Sequence, residues 1–192
     1  MMSFHNAESA LVPCLGGKRT PQGTVTQTPL PVLTWLRGSN GSVFVASLIE
    51  RIGGNNLLCA ILLACPDVVL DDATSWDRFC LLVDKKMKRQ YELASVAKLF
   101  ESLLQGRKNF VLREKEASAA VPPSDLLAFI LPRSETLASG NADSQCSVCA
   151  ALGSMLPTDW EEIATPENVA ELLLSICSDP SVTAKVRGES CK

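Results

Sequence analysis

The last stretch of the chain, residues 165–192, constrains the fold most, because it encodes two short helices joined by a tight corner. Thr165 is suited to cap the first helix, and Pro166 to occupy its first position, where the missing N–H costs no hydrogen bond. Apolar side chains then recur at helical spacing, at Val169, Leu172, Leu173 and Ile176. Asp179-Pro180 ends this helix, since the residue before proline is displaced from helical geometry. The pattern predicts a helical hairpin with one apolar side.

Three segments of this hairpin, Leu172-Leu173-Leu174, Asp179-Pro180 and Val186-Arg187, resemble a HEAT repeat of the armadillo-like class. The resemblance implies stacked helical hairpins, and it implies that Asp179 and Arg187 tie neighbouring turns together. It extends over about one repeat, and the corner is slightly longer than in the usual pattern. An ordinary helical hairpin in a non-repeat bundle is the alternative, because Asp-Pro corners also arise from simple turn chemistry.

Upstream of this hairpin the same succession of cap, apolar stripe and stop recurs, which predicts an all-α protein. The predicted helices span residues 42–52, 56–65, 74–85, 91–105, 125–131 and 142–156. Gly106 and Pro132 are interpreted as helix stops, and Thr74 or Ser75 as the cap of the helix that contains Trp76. Hydrophobic residues make up 46% of the chain and aromatic residues only 5%, which favours aliphatic helix packing over a β-sandwich.

Two regions are predicted along the chain. Residues 1–40 read as an irregular leader rich in Gly, Pro and Thr, with Val32 to Leu36 as one helical turn or a docked segment, anchored by Trp35. Residues 41–192 read as a helical repeat domain. The sequence stops at Lys192, inside the predicted second helix of the hairpin and without the polar cap that ends natural arrays, so we expect a fragment or splice form of a longer array.

A secretory signal and a membrane-spanning segment are not apparent in the sequence. The first 18 residues lack the basic-then-apolar order of a secretory signal, and the longest apolar run, Leu57 to Cys65, is shorter than the ~20 residues that cross a bilayer. We therefore expect a cytoplasmic or nuclear protein without a membrane partner. The net charge of −3 implies no bulk attraction to nucleic acid.

Cys146 and Cys149 form a C-x-x-C spacing, which makes them candidate zinc ligands. A structural zinc site would need two further donors, and Cys177 and Cys191 are the nearby candidates. Alternatively, the two cysteines lie one turn apart on a helix and pack in the core as small apolar residues. A zinc-stabilised helical module remains one alternative for this chain.

Lys85, Lys86, Lys88 and Arg89 form the densest basic run. Such a run is typical of nuclear import signals and of nucleic-acid contacts. It is also typical of a solvated helix end, because cations interact favourably with the C-terminal end of the helix dipole. The run lacks the interleaved aromatic residues on which bases stack.

Catalytic chemistry is not indicated by the sequence. His5 is the single histidine, so no Ser/His or Cys/His nucleophile pair can be proposed. We predict a protein that is not an enzyme, takes no cofactor, and binds partner proteins through an all-α, armadillo/HEAT-like array of stacked helical hairpins. A nuclear, nucleic-acid-associated factor that uses the basic run is the main alternative.

Overall fold

The chain is described by a computed structural model for Leu15 and for residues 30–50, 55–114, 121–162 and 166–178. These residues form helices and connecting turns without any strand, which confirms the all-α prediction. In chain order, the helices are α1 (Leu30–Arg37), α2 (Ser39–Glu50), α3 (Asn55–Ala64), α4 (Asp67–Leu70), α5 (Ala73–Met87), α6 (Leu93–Glu114), α7 (Pro123–Ala138), α8 (Ala142–Leu152), α9 (Pro157–Glu162) and α10 (Pro166–Ser178). A short 3-10 turn, Gln90–Glu92, precedes α6.

The six helices from α2 to α8, leaving out the one-turn α4, pack in two layers. In one layer α6 lies between α3 and α8 and makes its most extensive contacts with them. In the other layer α2 packs on α5, and α5 meets α7 through an ion pair between Asp84 and Arg133 and a ring contact between Trp76 and Phe129. Each helix of one layer also contacts its chain neighbour in the other, so the packing follows chain order.

Helix α6 lies at the centre of the core because its apolar stripe is buried on two sides. The residues predicted to face inward are all buried: Leu93, Val96, Ala97, Phe100, Leu103 and Leu104. Gly106, which we predicted to end this helix, instead lies within it. A Cβ at Gly106 would be 2.0 Å from the carbonyl oxygen of Leu62 in α3, so the glycine permits the close approach of two helices.

The beginning of the described chain differs from the irregular leader that we predicted up to residue 40. Helix α1 starts at Leu30, and the predicted boundary falls inside α2. Pro31 does not break α1, because proline is tolerated in the first turn of a helix. The anchor of this helix is Leu36, which is fully buried, whereas the predicted anchor Trp35 is 39% exposed and contacts Phe44 at the surface.

Pro132 was predicted to end a helix, and this prediction is wrong because α7 continues through it to Ala138. Apolar residues on both sides of the proline, including Leu127, Ile130 and Leu137, are buried on one face, while Pro132 itself is exposed. A proline inside a helix costs about 3 kcal/mol. Burial of the stripe on both sides of the proline offsets this cost, since each buried leucine or isoleucine contributes about 1.5–3 kcal/mol.

The cap of α5 also differs from the predicted one. Asp72 caps the helix: its carboxylate accepts hydrogen bonds from the backbone N–H of Ser75 at 2.8 Å and from the Ser75 hydroxyl at 2.6 Å. These two bonds lower the pKa of Asp72. Thr74 and Ser75, the two predicted caps, both lie inside α5.

Helix α10 confirms the first helix of the hairpin predicted at the end of the chain. Val169 and Ile176 are buried, and Leu172 and Leu173 pack against the core, while Leu174 is exposed. Asp179 and Arg187 lie outside the described residues. Among the residues that are described, no helix combines the length and apolar character needed to span a membrane.

Candidate functional site

A groove between α2 and α5 combines apolar and charged side chains at the surface. Its apolar part comprises Ile49 from α2 and Leu81 and Leu82 from α5. Ile49 and Leu82 are buried and form the floor, whereas Leu81 is 69% exposed at its wall. The groove encloses about 250 Å³. Small-molecule sites enclose about 300–1,000 Å³, and this groove is smaller than that range. Its size suits one or two side chains that protrude from a partner.

The spacing of residues on α5 explains why the groove forms. Arg78, Leu81, Leu82 and Lys85 lie three or four residues from one another or are adjacent, and this places them on one face of the helix. Arg89 follows the end of α5 and lines the groove from the connecting segment. Leu82 turns toward α2 and the core. Arg78 Nε lies 4.0 Å from Oε1 of Glu50, which is the last residue of α2. Both side chains of this pair are well exposed, so the contact contributes little to stability.

One end of the groove is formed by a buried ion pair between Lys86 and Glu92. The 3-10 turn after α5 reverses the chain and brings the Glu92 carboxylate onto the Lys86 ammonium, and both side chains are more than nine-tenths buried. Arg89 donates a second hydrogen bond to Glu92, at 3.1 Å. The hydrogen bond from Lys86, assisted by the charge of Lys86 and by Arg89, lowers the pKa of Glu92 against the opposing effect of burial.

The structure therefore divides the predicted basic run. Lys85 and Lys88 are exposed, Lys86 is buried and paired, and Arg89 is partly buried against Glu92. A continuous patch of four solvated cations is not formed, because Lys86 faces inward on α5 and its charge is neutralised there. Sequence spacing alone did not reveal this, since the partner carboxylate follows six residues later in a turn.

Around the groove, cations outnumber carboxylates. Arg78, Lys85, Lys86 and Arg89 contribute four positive charges, and Glu50 and Glu92 contribute two negative charges, which leaves a net charge of +2. The whole chain carries a net charge of −3. The groove is thus locally positive on an acidic protein, and this favours acidic over basic ligands.

Cys146 and Cys149 lie one turn apart on α8, where Cys149 is buried and Cys146 is half-buried. Within the described ranges no three His, Cys, Asp or Glu side chains come close enough together to hold a metal ion. The other candidate donors, Cys191 and the side chain of Cys177, lie outside what the structure describes. The zinc-stabilised module therefore stays a prediction.

Cys65 has the most distinctive thiol environment among the described cysteines. Its thiol donates to the Asp67 carboxylate at 3.0 Å, and that carboxylate also accepts from Arg37 Nε at 2.5 Å. Burial, together with the adjacent carboxylate, raises the pKa of Cys65 to about 12. This thiol therefore remains protonated at neutral pH, so it is a poor nucleophile and a poor metal ligand.

A second buried ion pair, between Arg107 and Asp159, was not predicted from the sequence. Arg107 Nη1 donates to both carboxylate oxygens of Asp159, at 2.8 and 2.6 Å, and Asp159 also accepts from the backbone N–H of Leu156. The pair joins α6 to α9 across 52 positions of sequence. The one sequence signal for this ion pair is the position of Asp159 at the start of a helix. That position does not identify Arg107 as the partner, because the two residues are far apart in sequence.

Comparisons with known proteins identify no relative: no described protein family, no curated protein and no solved structure matches this chain.

Proposed function

We propose that the chain is a non-enzymatic protein-interaction module built from stacked helical hairpins of the armadillo/HEAT kind. The observation that carries this proposal is the packing order. The second helices of three successive hairpins, α3, α6 and α8, pack on one another in sequence, and the first helices, α2, α5 and α7, form the other layer. Such stacking is how helical arrays bury their apolar faces and present extended surfaces to partners.

Two further features support the same proposal. Helix α10 adds a fourth first-layer helix, because it follows α8 in the chain and packs on α7. Two large apolar side chains are exposed on first-layer helices: Leu81 on α5 and Leu174 on α10. The proposal assigns no catalytic residue and no cofactor, and it places the protein in the cytoplasm or nucleus.

Affinity capture on the purified full chain, followed by reconstitution, tests this function. Proteins captured from a cell extract would be purified and mixed with the chain, and the expected result is a complex of defined stoichiometry at micromolar concentration or below. Failure of every captured protein to reconstitute such a complex would count against an interaction module.

The nucleic-acid alternative requires a separate measurement. Binding of the full chain to duplex DNA would be titrated between 50 and 200 mM salt, where a protein that contacts 6–10 phosphates loses about 10³–10⁵ in affinity. We expect weak binding, because Lys86 is paired internally and the exposed cations Lys85 and Lys88 are few. Tight binding with a steep salt slope would favour the alternative instead.

A further inference from the structure

We infer that the groove between α2 and α5 receives an acidic amphipathic helix from a partner protein; this inference rests on the proposed interaction function. The occupant would insert one or two aliphatic or aromatic side chains against Ile49, Leu81 and Leu82, and its Asp and Glu residues would face Arg78 and Lys85. Three properties of the groove carry the inference.

The first property is the exposed apolar wall. Leu81 is 69% exposed, although its neighbours in the groove, Ile49 and Leu82, are buried. Covering this side chain would remove apolar area from water next to an apolar floor that is already formed. A helix docked along such a groove places anchors at positions i, i+3 or i+4, and i+7.

The second property is the charge around the wall. Arg78 and Lys85 flank Leu81 on α5, one turn before and one turn after it, and both are exposed. Glu50 lies 4.0 Å from Arg78 and offsets one of these charges. With Arg89 and the internally neutralised Lys86–Glu92 pair, the groove still keeps a net charge of +2. A partner helix with acidic residues beside its apolar anchors is complementary to this arrangement, whereas a basic helix would be repelled.

The third property is that one end of the groove is held in place by a buried ion pair. Lys86 and Glu92 are buried and hydrogen-bonded, and Arg89 supports the same carboxylate. The groove is consequently formed before any partner arrives, and binding does not require the α5 end to be ordered first. A pre-formed receptor loses less free energy on association than a mobile one.

A peptide-display selection on the full chain tests the inference. The probe is a library of 16-residue peptides with apolar residues fixed at helical spacing and with the remaining positions free. We expect the enriched peptides to be rich in Asp and Glu. Enrichment of basic peptides, or of peptides without charge preference, would overturn the charge argument.

Variants of the full chain locate the binding site of the enriched peptides. Leu81→Asp should weaken binding at least about tenfold, as expected for loss of a central apolar contact. Lys85→Glu should weaken binding several-fold and reduce its salt dependence, as expected for a rim charge. The matched controls are Leu174→Asp, at a leucine of similar exposure on α10, and Lys88→Glu, at an exposed lysine one turn beyond Lys85 that does not line the groove.

The pattern of results distinguishes a wrong binding site from a wrong proposed function. Peptides that bind the Leu81→Asp and Lys85→Glu variants as well as the unmodified chain would place the site elsewhere, so the groove inference would fail while protein binding stands. A selection that enriches no peptide overturns the groove inference, and the reconstitution experiment then decides the function independently. Thermal melts of each variant would show whether a loss of binding reflects loss of the fold.

Other occupants of the groove are distinguished by photo-crosslinking. A photoreactive phenylalanine analogue in place of Leu81 should crosslink to the enriched peptide, and an excess of unlabelled peptide should suppress this product. A crosslink within the chain would identify one of its own segments as the occupant, and a crosslink between two copies would identify self-association. Competition by duplex DNA would indicate nucleic acid. Each of these three outcomes would overturn the inference.

Discussion

Substitution of Gly106 by alanine should destabilise the protein, although alanine is the better helix former. Gly106 lies inside α6 where this helix crosses α3. The new Cβ would lie 2.0 Å from the carbonyl oxygen of Leu62 and 3.0 Å from the Cα of Leu63. Favourable contacts between non-bonded heavy atoms lie near ~3.5 Å. The two helices must therefore separate by more than about 1 Å, because no side-chain rotation can move these backbone atoms.

The magnitude follows from two opposing contributions. Helix propensity favours alanine over glycine by about 1 kcal/mol. Overpacking of a closed core costs about 1–3 kcal/mol or more, and a clash against backbone lies at the upper end of that range. The net loss should be about 2 kcal/mol, and at about 2–4 °C per kcal/mol for a chain of this size, the melting temperature should fall by about 4–8 °C.

Thermal and urea unfolding of the full chain, followed by circular dichroism, measure this effect. Gly38→Ala is the matched control, because Gly38 is exposed and a Cβ there would lie at an ordinary 3.4 Å from the carbonyl oxygen of Trp35. The control should be neutral or stabilising by about 0.4–1 kcal/mol through the unfolded state. A Gly106→Ala variant as stable as the unmodified chain would refute the close helix crossing.

Three further predictions concern polar contacts, each measured as a change in the urea unfolding midpoint. Asp72→Ala should cost about 1 kcal/mol through loss of the α5 cap, whereas Thr74→Ala should change stability little; equal effects would contradict the cap assignment. Asp159→Ala should cost about 3–5 kcal/mol, because it leaves the buried Arg107 charge without its partner; a loss below about 1 kcal/mol would show that the pair is solvated. The lowered pKa of Glu92 means that its contribution to stability is fully present above the unfolded-state pKa of about 4.3 and is lost as pH falls through the lower folded-state value. Between pH 6 and pH 3 the unmodified chain should thus lose more stability than Glu92→Gln, and parallel pH profiles would be inconsistent with this coupling.

Much of the local structure could be predicted from the sequence. The apolar stripes of α6 and α10 were predicted correctly because helical spacing of apolar residues is a local property. Lys85 and Lys86 of the basic run lie in the last turn of α5. The division of this run into exposed Lys85 and buried Lys86 could not be predicted, because that depends on where the following turn places Glu92.

The sequence by itself determined that the chain is helical and, for most helices, which face is apolar, since both follow from the order of neighbouring residues. Only the tertiary structure decided whether Gly106 and Pro132 end a helix or lie inside one. Both residues are weak helix formers in isolation, and packing of the same helix on either side of them outweighs that preference. The groove likewise exists only in the folded chain, because Ile49 and Leu82 come from helices that become neighbours through core packing.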